Sequence, residues 1–300
     1  MSILETFDTA IVSSEKLGSG YRVNSRTFPN YLSNEEWDIW LSEMSDSHRQ
    51  QFERGSGGEL EPKNGRPPKM ASFASSSRMI YKLSKDIADF QFEKQLPTRI
   101  GGIANLDGYL DQEKKQIYIE AKCREPYSHA AIQTIKQNYK PLYLYLREKM
   151  PRVFSCVMED IPGSRDMRVA FFCKGKSVQY FDIKQMICHM IGIANEVLSS
   201  TSEKSILFLY LLFNPSLLEI PEQNREEILR IYKETNYAAT AFEFDEMFGH
   251  IVDYLICEYG TAKDKQEIEA IKKSFQFIIT DQASYKKYIE NKQAVTSGLA

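Results

Sequence analysis

Asp107, Glu120 and Lys122 are the residues of this chain whose types and spacing could carry out hydrolysis. They lie in GGIANLDGYLDQEKKQIYIEAKCREPY, residues 101–127, which has the pattern of a β-hairpin. Side chains alternate along a strand. In the second strand Ile117, Ile119 and Ala121 therefore share one face, with Tyr118, Glu120 and Lys122 on the other. In the first, Ala104, Leu106, Gly108 and Leu110 form the apolar set, which leaves Asn105, Asp107 and Tyr109 opposite. A loop symmetric about Glu113 and Lys114 sets Leu110 against Ile117, Tyr109 against Tyr118, and Asp107 against Glu120. Two carboxylates about 5 Å apart repel by roughly 3 kcal/mol at an effective dielectric of about 20. A divalent cation between them reverses the sign, and Mg2+ is commonly held by one or two carboxylates with water and phosphate completing the shell. An ammonium on the same face, Lys122, could stabilise developing negative charge. The plain structural alternative is a solvated hairpin face on which Glu120 pairs with Lys122.

Asp107 followed thirteen residues later by Glu120-Ala121-Lys122 resembles the PD-(D/E)xK nuclease superfamily, with its restriction-endonuclease-like fold. Leu106 stands where the family name has Pro. The resemblance implies Mg2+ or Mn2+ held by Asp107 and Glu120, with Lys122 assisting the attacking water. It also implies a core of one helix, three strands, a second helix and a fourth strand. Some members add an acidic residue before the Asp, for which Glu93 is the candidate. A Gln on the later helix is found in others, and Gln185 takes that place here, with His189 one turn beyond it. A lone His among Met and Ile is otherwise a hydrogen-bonded core histidine.

The elements that would position these residues can be read from the sequence. Three serines at 75–77 offer an N-cap for a helix through Lys85. Phe90, Phe92 and Leu96 alternate with Gln91, Glu93 and Gln95 as a first strand. After the hairpin, IKQMICHMIGIANEVL (183–198) reads as a helix, and SILFLYLLF (205–213) as a strand buried on both faces. Residues 124–182 then become a largely helical insertion, with a helix from His129 to Met150 kinked at Pro141 and a strand at 167–173. Ahead of the core, residues 1–30 read as an extended arm, Ser33 with Glu36 as a capping box, and GSGGELEPKNGRPPK (55–69) as a flexible loop. Residues 216–300 read as helical and acidic, including a helix at 263–279. The expected fold is α/β: a restriction-endonuclease-like core at 31–215, built on a mixed central sheet flanked by helices, with a helical insertion and a helical C-terminal part.

Composition narrows the function class. The 300 residues are 42% hydrophobic, enough for a substantial core. Five cysteines without CxxC spacing suit free thiols in a reducing compartment, and MSILETFDTAIVSSEK lacks a basic region followed by an apolar one, so a cytoplasmic location is expected. The longest apolar run, at 206–213, is too short to span a bilayer, so no membrane partner is expected. Four separated histidines do not support a zinc site. Net charge is −3, yet residues 61–185 hold 22 Lys and Arg against 14 Asp and Glu, so a polyanion would meet a positive field there. Tyrosines interleaved with Arg124, Lys136 and Lys140 could grip nucleic acid or form the edge of an amphipathic helix. Together these readings point to metal-dependent phosphodiester hydrolysis, with DNA as the substrate. The alternatives are a catalytically silent nucleic-acid-binding module of the same fold and a protein-interaction domain working through its acidic C-terminal part.

Overall fold

The apolar run SILFLYLL, residues 205–212, forms a strand buried on both faces, as its composition requires. Phe208 and Tyr210 enter one hydrophobic core, and Leu207, Leu209 and Leu211 enter another on the opposite side. The computed structural model describes residues 1–290 apart from Lys16, Ser56, Gly57 and His129. His129, at the head of the helix expected after the hairpin, lies outside the described residues.

In chain order the elements begin with α1 (Ile3–Ser14), the hairpin β1 (Ser19–Val23) and β2 (Arg26–Leu32), α2 (Asn34–Ser42), α3 (Asp46–Arg54) and α4 (Ser76–Ser84). A meander of β3 (Gln91–Pro97), β4 (Ile103–Asp111) and β5 (Lys115–Lys122) follows. Next come β6 (Ile132–Lys136), α5 (Lys140–Lys149), β7 (Ser155–Asp160), β8 (Asp166–Cys173) and β9 (Lys176–Ser177). After α6 (Ile183–Ser199) and β10 (Ser205–Leu212), the chain ends with α7 (Glu222–Ala241), α8 (Phe244–Tyr259), α9 (Lys265–Ser274), β11 (Phe275–Thr280) and α10 (Tyr285–Glu290).

The central sheet has the order β11-β10-β5-β4-β3. β10 runs parallel to both β5 and β11, whereas the β3–β4–β5 meander is antiparallel, so the α/β fold has a mixed sheet. The core holding Phe208 includes residues of α5, α6 and α8; the other includes residues of α1 to α4 and α10. β6, β8 and β7 make a second, antiparallel sheet, with β9 on β8. Among the described residues no helix is long and apolar enough to cross a membrane.

Several elements differ from the sequence expectation for identifiable reasons. Residues 1–30 hold a helix and a hairpin, not an extended arm. Ser2 and Glu5 form a capping box, and Phe7, Ala10 and Ile11 are buried. The helical pattern was interrupted by Asp8, itself buried, whose Arg124 partner is remote in sequence. The insertion at 124–182 is α and β together. Ile132–Lys136 pairs with β8, and Pro141 sits in the first turn of α5, where its missing N–H costs nothing. Residues 58–71 are not a floppy connection: Leu60, Met70 and Ala71 are buried, and the Lys69 and Met70 N–H groups donate to Gly58 and Glu59 carbonyls. The helix expected at 263–279 stops at Ser274, because Phe275–Thr280 pairs with β10 as an edge strand rich in aromatic and β-branched residues.

The position of α6 over the sheet depends on Gly192. A Cβ there would stand 2.7 Å from Leu96 Cβ and 3.1 Å from Ala104 Cβ. Helix propensity favours Ala over Gly by about 1 kcal/mol. Overpacking against two Cβ atoms that cannot rotate away costs about 1–3 kcal/mol and should exceed that gain. Gly192→Ala is therefore expected to lower the urea midpoint without changing the slope of the transition; a raised midpoint would show that α6 is free to lift.

Candidate active site

The hairpin has the register read from the sequence, with Leu110 opposite Ile117 and Tyr109 opposite Tyr118. The backbone ladder continues to Gly108–Ile119. At the next step a side chain takes over: Asp107 Oδ2 accepts the Ala121 N–H at 2.7 Å. Both β4 and the edge strand β3 change face at this level. Ala104 and Leu106 lie in the core under α6, but Leu110 lies in the other, so the four apolar residues at 104–110 do not share a face. Along β3, Phe92 and the preceding Phe90 join one core and Leu96 the other. The switch falls at Glu93, whose φ of 52° is in the left-handed region that non-glycine residues seldom occupy. Pairs Phe92–Gly108 and Lys94–Leu106 flank this position, so Glu93 and Asp107 occupy the same crease across two strands.

Glu120 and Lys122 share a face, as expected, but not a solvated one. Glu120 is 1% exposed and Lys122 is 7% exposed. The Lys122 ammonium contacts Glu120 Oε1, and His189 Nε2, from α6, stands 2.9 Å from Oε2. That approach is off the axis of a well-formed N–H bond, so Glu120 Oε2 and both imidazole nitrogens have no aligned partner among the described residues. Burial disfavours the Glu120 charge, but Lys122 and His189 outweigh it and hold its carboxyl below the ordinary value. Burial likewise opposes the Lys122 charge, and Glu120, Glu125 and Asp107 reverse this, holding its pKa well above the usual range. Asp107 goes the other way. Burial first, then repulsion from Glu120, raises its pKa well above that of a free carboxyl despite Lys122 and the Ala121 N–H.

A cavity of about 380 Å3 opens at the crease, bordered by Asp107, Glu120, Lys122, Glu93 and Gln185. All the side chains proposed from sequence therefore face one space, except His189, which touches the site through Glu120. Gln185 reaches it from the first turn of α6, capped by Asp182. A second cavity of about 340 Å3 continues past Lys122 and Gln185 and adds Lys184 to the lining.

Sequence reasoning missed four contributors. Glu125 follows β5 on a short turn; its carboxylate accepts from Ser76 Oγ at 2.9 Å and the Cys123 N–H at 2.8 Å, and it too borders the cavity. Asn105, Glu59 and Lys69 also line it. Only Glu125 carried a readable signal, three residues after Lys122. Of the basic and aromatic residues expected to grip nucleic acid, Arg124 is committed to Asp8, its Nε 2.9 Å from Oδ1, and Tyr143 is core.

Two buried acceptors bordering the cavity, Glu59 Oε2 and Asn105 Oδ1, lack a donor among the described residues, and Glu120 Oε2 has the poorly aligned His189 Nε2 at 2.9 Å. Unpartnered carboxylate and amide oxygens suit a hard cation such as Mg2+ or Mn2+ rather than zinc. No three His, Cys, Asp or Glu side chains among the described residues form a group that could hold a metal ion; a cation at these acceptors would have to draw most of its ligands from water, as Mg2+ commonly does. No family model, curated protein or solved structure matches this chain.

The two carboxylates should respond oppositely to pH in metal-free protein. Asp107, with its pKa raised on folding, favours the fold most below its unfolded value near 3.9 and loses that contribution as pH rises through the folded value. Glu120, held low, contributes above its unfolded value near 4.3 and loses that contribution as pH falls through the folded one. At pH near 8 with chelator, Asp107→Asn should stabilise by about 1–3 kcal/mol, the gain shrinking toward pH 4. Glu120→Gln should destabilise by about 2–4 kcal/mol, since it strands Lys122. Urea denaturation of both variants checks this, and the reverse order of stability would refute the charge assignment.

Proposed function

We propose that this chain is a divalent-cation-dependent nuclease of the PD-(D/E)xK type, hydrolysing phosphodiester bonds in DNA on a restriction-endonuclease-like core. The observation that carries the reading is the crease in β3 and β4 beside β5. There Asp107, Glu120, Lys122 and Gln185 border one cavity. The order of α4, β3 to β5, α6 and β10 supports it, being a helix, three strands, a helix and a fourth strand.

Asp107 and Glu120 would hold Mg2+ or Mn2+, with Glu93 near enough to add to the negative field on Asp107. Bound there, the cation supplies Lewis-acid stabilisation of the reacting oxygens. The chain's own groups do the rest. The Ala121 N–H fixes one Asp107 oxygen. Glu120 keeps Lys122 charged and aimed, so that its ammonium can stabilise negative charge on the phosphate or hold the attacking water. The Gln185 amide can donate to a phosphate oxygen. The basic excess at 61–185 draws the polyanion toward a cavity whose acidic lining would repel it without the cation. No covalent intermediate is needed.

The buried contact between Lys122 and Glu120 also favours a second reading, a nucleic-acid-binding module that does not cleave. Supercoiled DNA, with RNA in parallel, separates the two. Nicked or linear product should form only with Mg2+ or Mn2+, and Asp107→Ala, Glu120→Ala and Lys122→Ala should each reduce the rate by about 100-fold or more. Salt-dependent binding with no product under any cation would select the binding module. Undiminished cleavage by all three variants would remove the site assignment.

A further inference from the structure

Glu59 reaches the cavity from the segment between α3 and α4, far from the hairpin in sequence. It is 4% exposed. Its backbone is held firmly, with the Lys69 N–H donating to Gly58 O at 2.9 Å and the Met70 N–H to Glu59 O at 3.0 Å. Its two oxygens have different environments. Oε1 takes the Lys69 ammonium at 2.7 Å, while Oε2 is buried without a hydrogen-bond partner among the described residues. A buried acceptor left without a partner is costly, more so when charged, so its position favours a ligand that brings positive charge or donors. Asn105 Oδ1, bordering the same cavity, is a second such acceptor.

The charge of the lining gives the sign of the ligand. Glu59, Glu93, Asp107, Glu120 and Glu125 face the cavity against two lysines, Lys69 and Lys122. An anion has no place there unaided. Lys69 is 59% exposed, so it can swing into water when another cation approaches Glu59.

We infer that Glu59 is a further cation-binding carboxylate of this site, helping Asp107 and Glu120 to retain a hydrated divalent cation, Mg2+ or Mn2+. This rests on the nuclease reading above. Glu59 acts on the ion across water, in keeping with the reluctance of Mg2+ to give up its shell.

The test uses Mn2+ alone, titrated into the full chain without nucleic acid and followed by the electron paramagnetic resonance signal of free Mn2+. Glu59→Gln should weaken binding about tenfold or more, the size usual when a group outside the inner ligands is removed. Lys69→Met, which frees Glu59 from its internal counter-ion, should tighten it. Asp107→Asn reports on the site as a whole. If Asp107→Asn loses Mn2+ while Glu59→Gln binds like wild type, Glu59 has no such role and the nuclease reading survives. Wild-type protein that binds no Mn2+ at millimolar concentration overturns both. Should Glu59→Gln fail to fold by circular dichroism, Glu59→Asp, which withdraws the oxygen by one methylene, must weaken binding and Lys69→Met must still tighten it. Unchanged affinity in either overturns the inference.

Discussion

The burial of charge on β5 is the constraint on which the rest of this structure depends. Glu120 and Lys122 sit on a strand with neighbours on both sides and packed layers on both faces, where stripping two ions of water costs several kcal/mol each. Three groups offset that cost. The pair neutralise one another, His189 comes down from α6 onto the free side of Glu120, and Glu125 adds its field to Lys122. Each requires an element in a set position. α6 must lie close enough for His189 to reach, which needs a glycine at 192, and the chain after β5 must turn at once to bring Glu125 back, anchored by Ser76 at the start of α4.

The same cluster explains why the sheet opens where it does. A regular ladder would set Asp107 flat against Glu120. Instead β4 and β3 change face together at Asp107 and Glu93, and the Asp107 carboxylate takes an amide of β5 in place of a backbone carbonyl. The crease that results is the mouth of the cavity. Like charges that a flat hairpin would place in direct opposition are thereby spread around a space large enough for a cation and its water, and the two carboxylates diverge in acidity. The divergence has a physical cause at each carboxylate: Lys122 and His189 hold Glu120 toward its charged form, whereas burial and the Glu120 charge work against ionisation of Asp107.

Under the proposed function, electrostatics on two length scales would work in sequence. At a distance the basic excess at 61–185 would favour an approaching polyanion, while at contact the cavity lining is acidic. A bound cation would mediate between them, and the neighbouring cavity past Lys122 and Gln185, with Lys184 at its side, would give the remainder of a bound strand somewhere to lie.

The pattern of the sequence carried the elements whose information is local. Alternation over 117–122, the loop symmetric about Glu113 and Lys114, the serine cap at 75 and the continuous apolar run at 205–212 each depend on neighbours in the chain. The hairpin register as far as Tyr109–Tyr118 and the central strand were therefore legible, whereas the direct opposition of Asp107 and Glu120 expected from it gives way to the face change at Asp107. Elements completed by remote partners were not. Asp8 hid the helical face of α1 because its charge is answered by Arg124. Phe275–Thr280 is a strand because β10 offers it an edge, and the Gly- and Pro-rich stretch at 58–71 is ordered because Leu60 and Met70 find a core. The change of face at Glu93 was invisible for the same reason. A left-handed residue in a strand is held by its surroundings, and no periodicity in the chain records it. Residue types thus determined what chemistry this protein could attempt, and tertiary packing alone decided that Glu59 and Lys69 would stand beside it, since side chains remote in sequence meet only when the layers close.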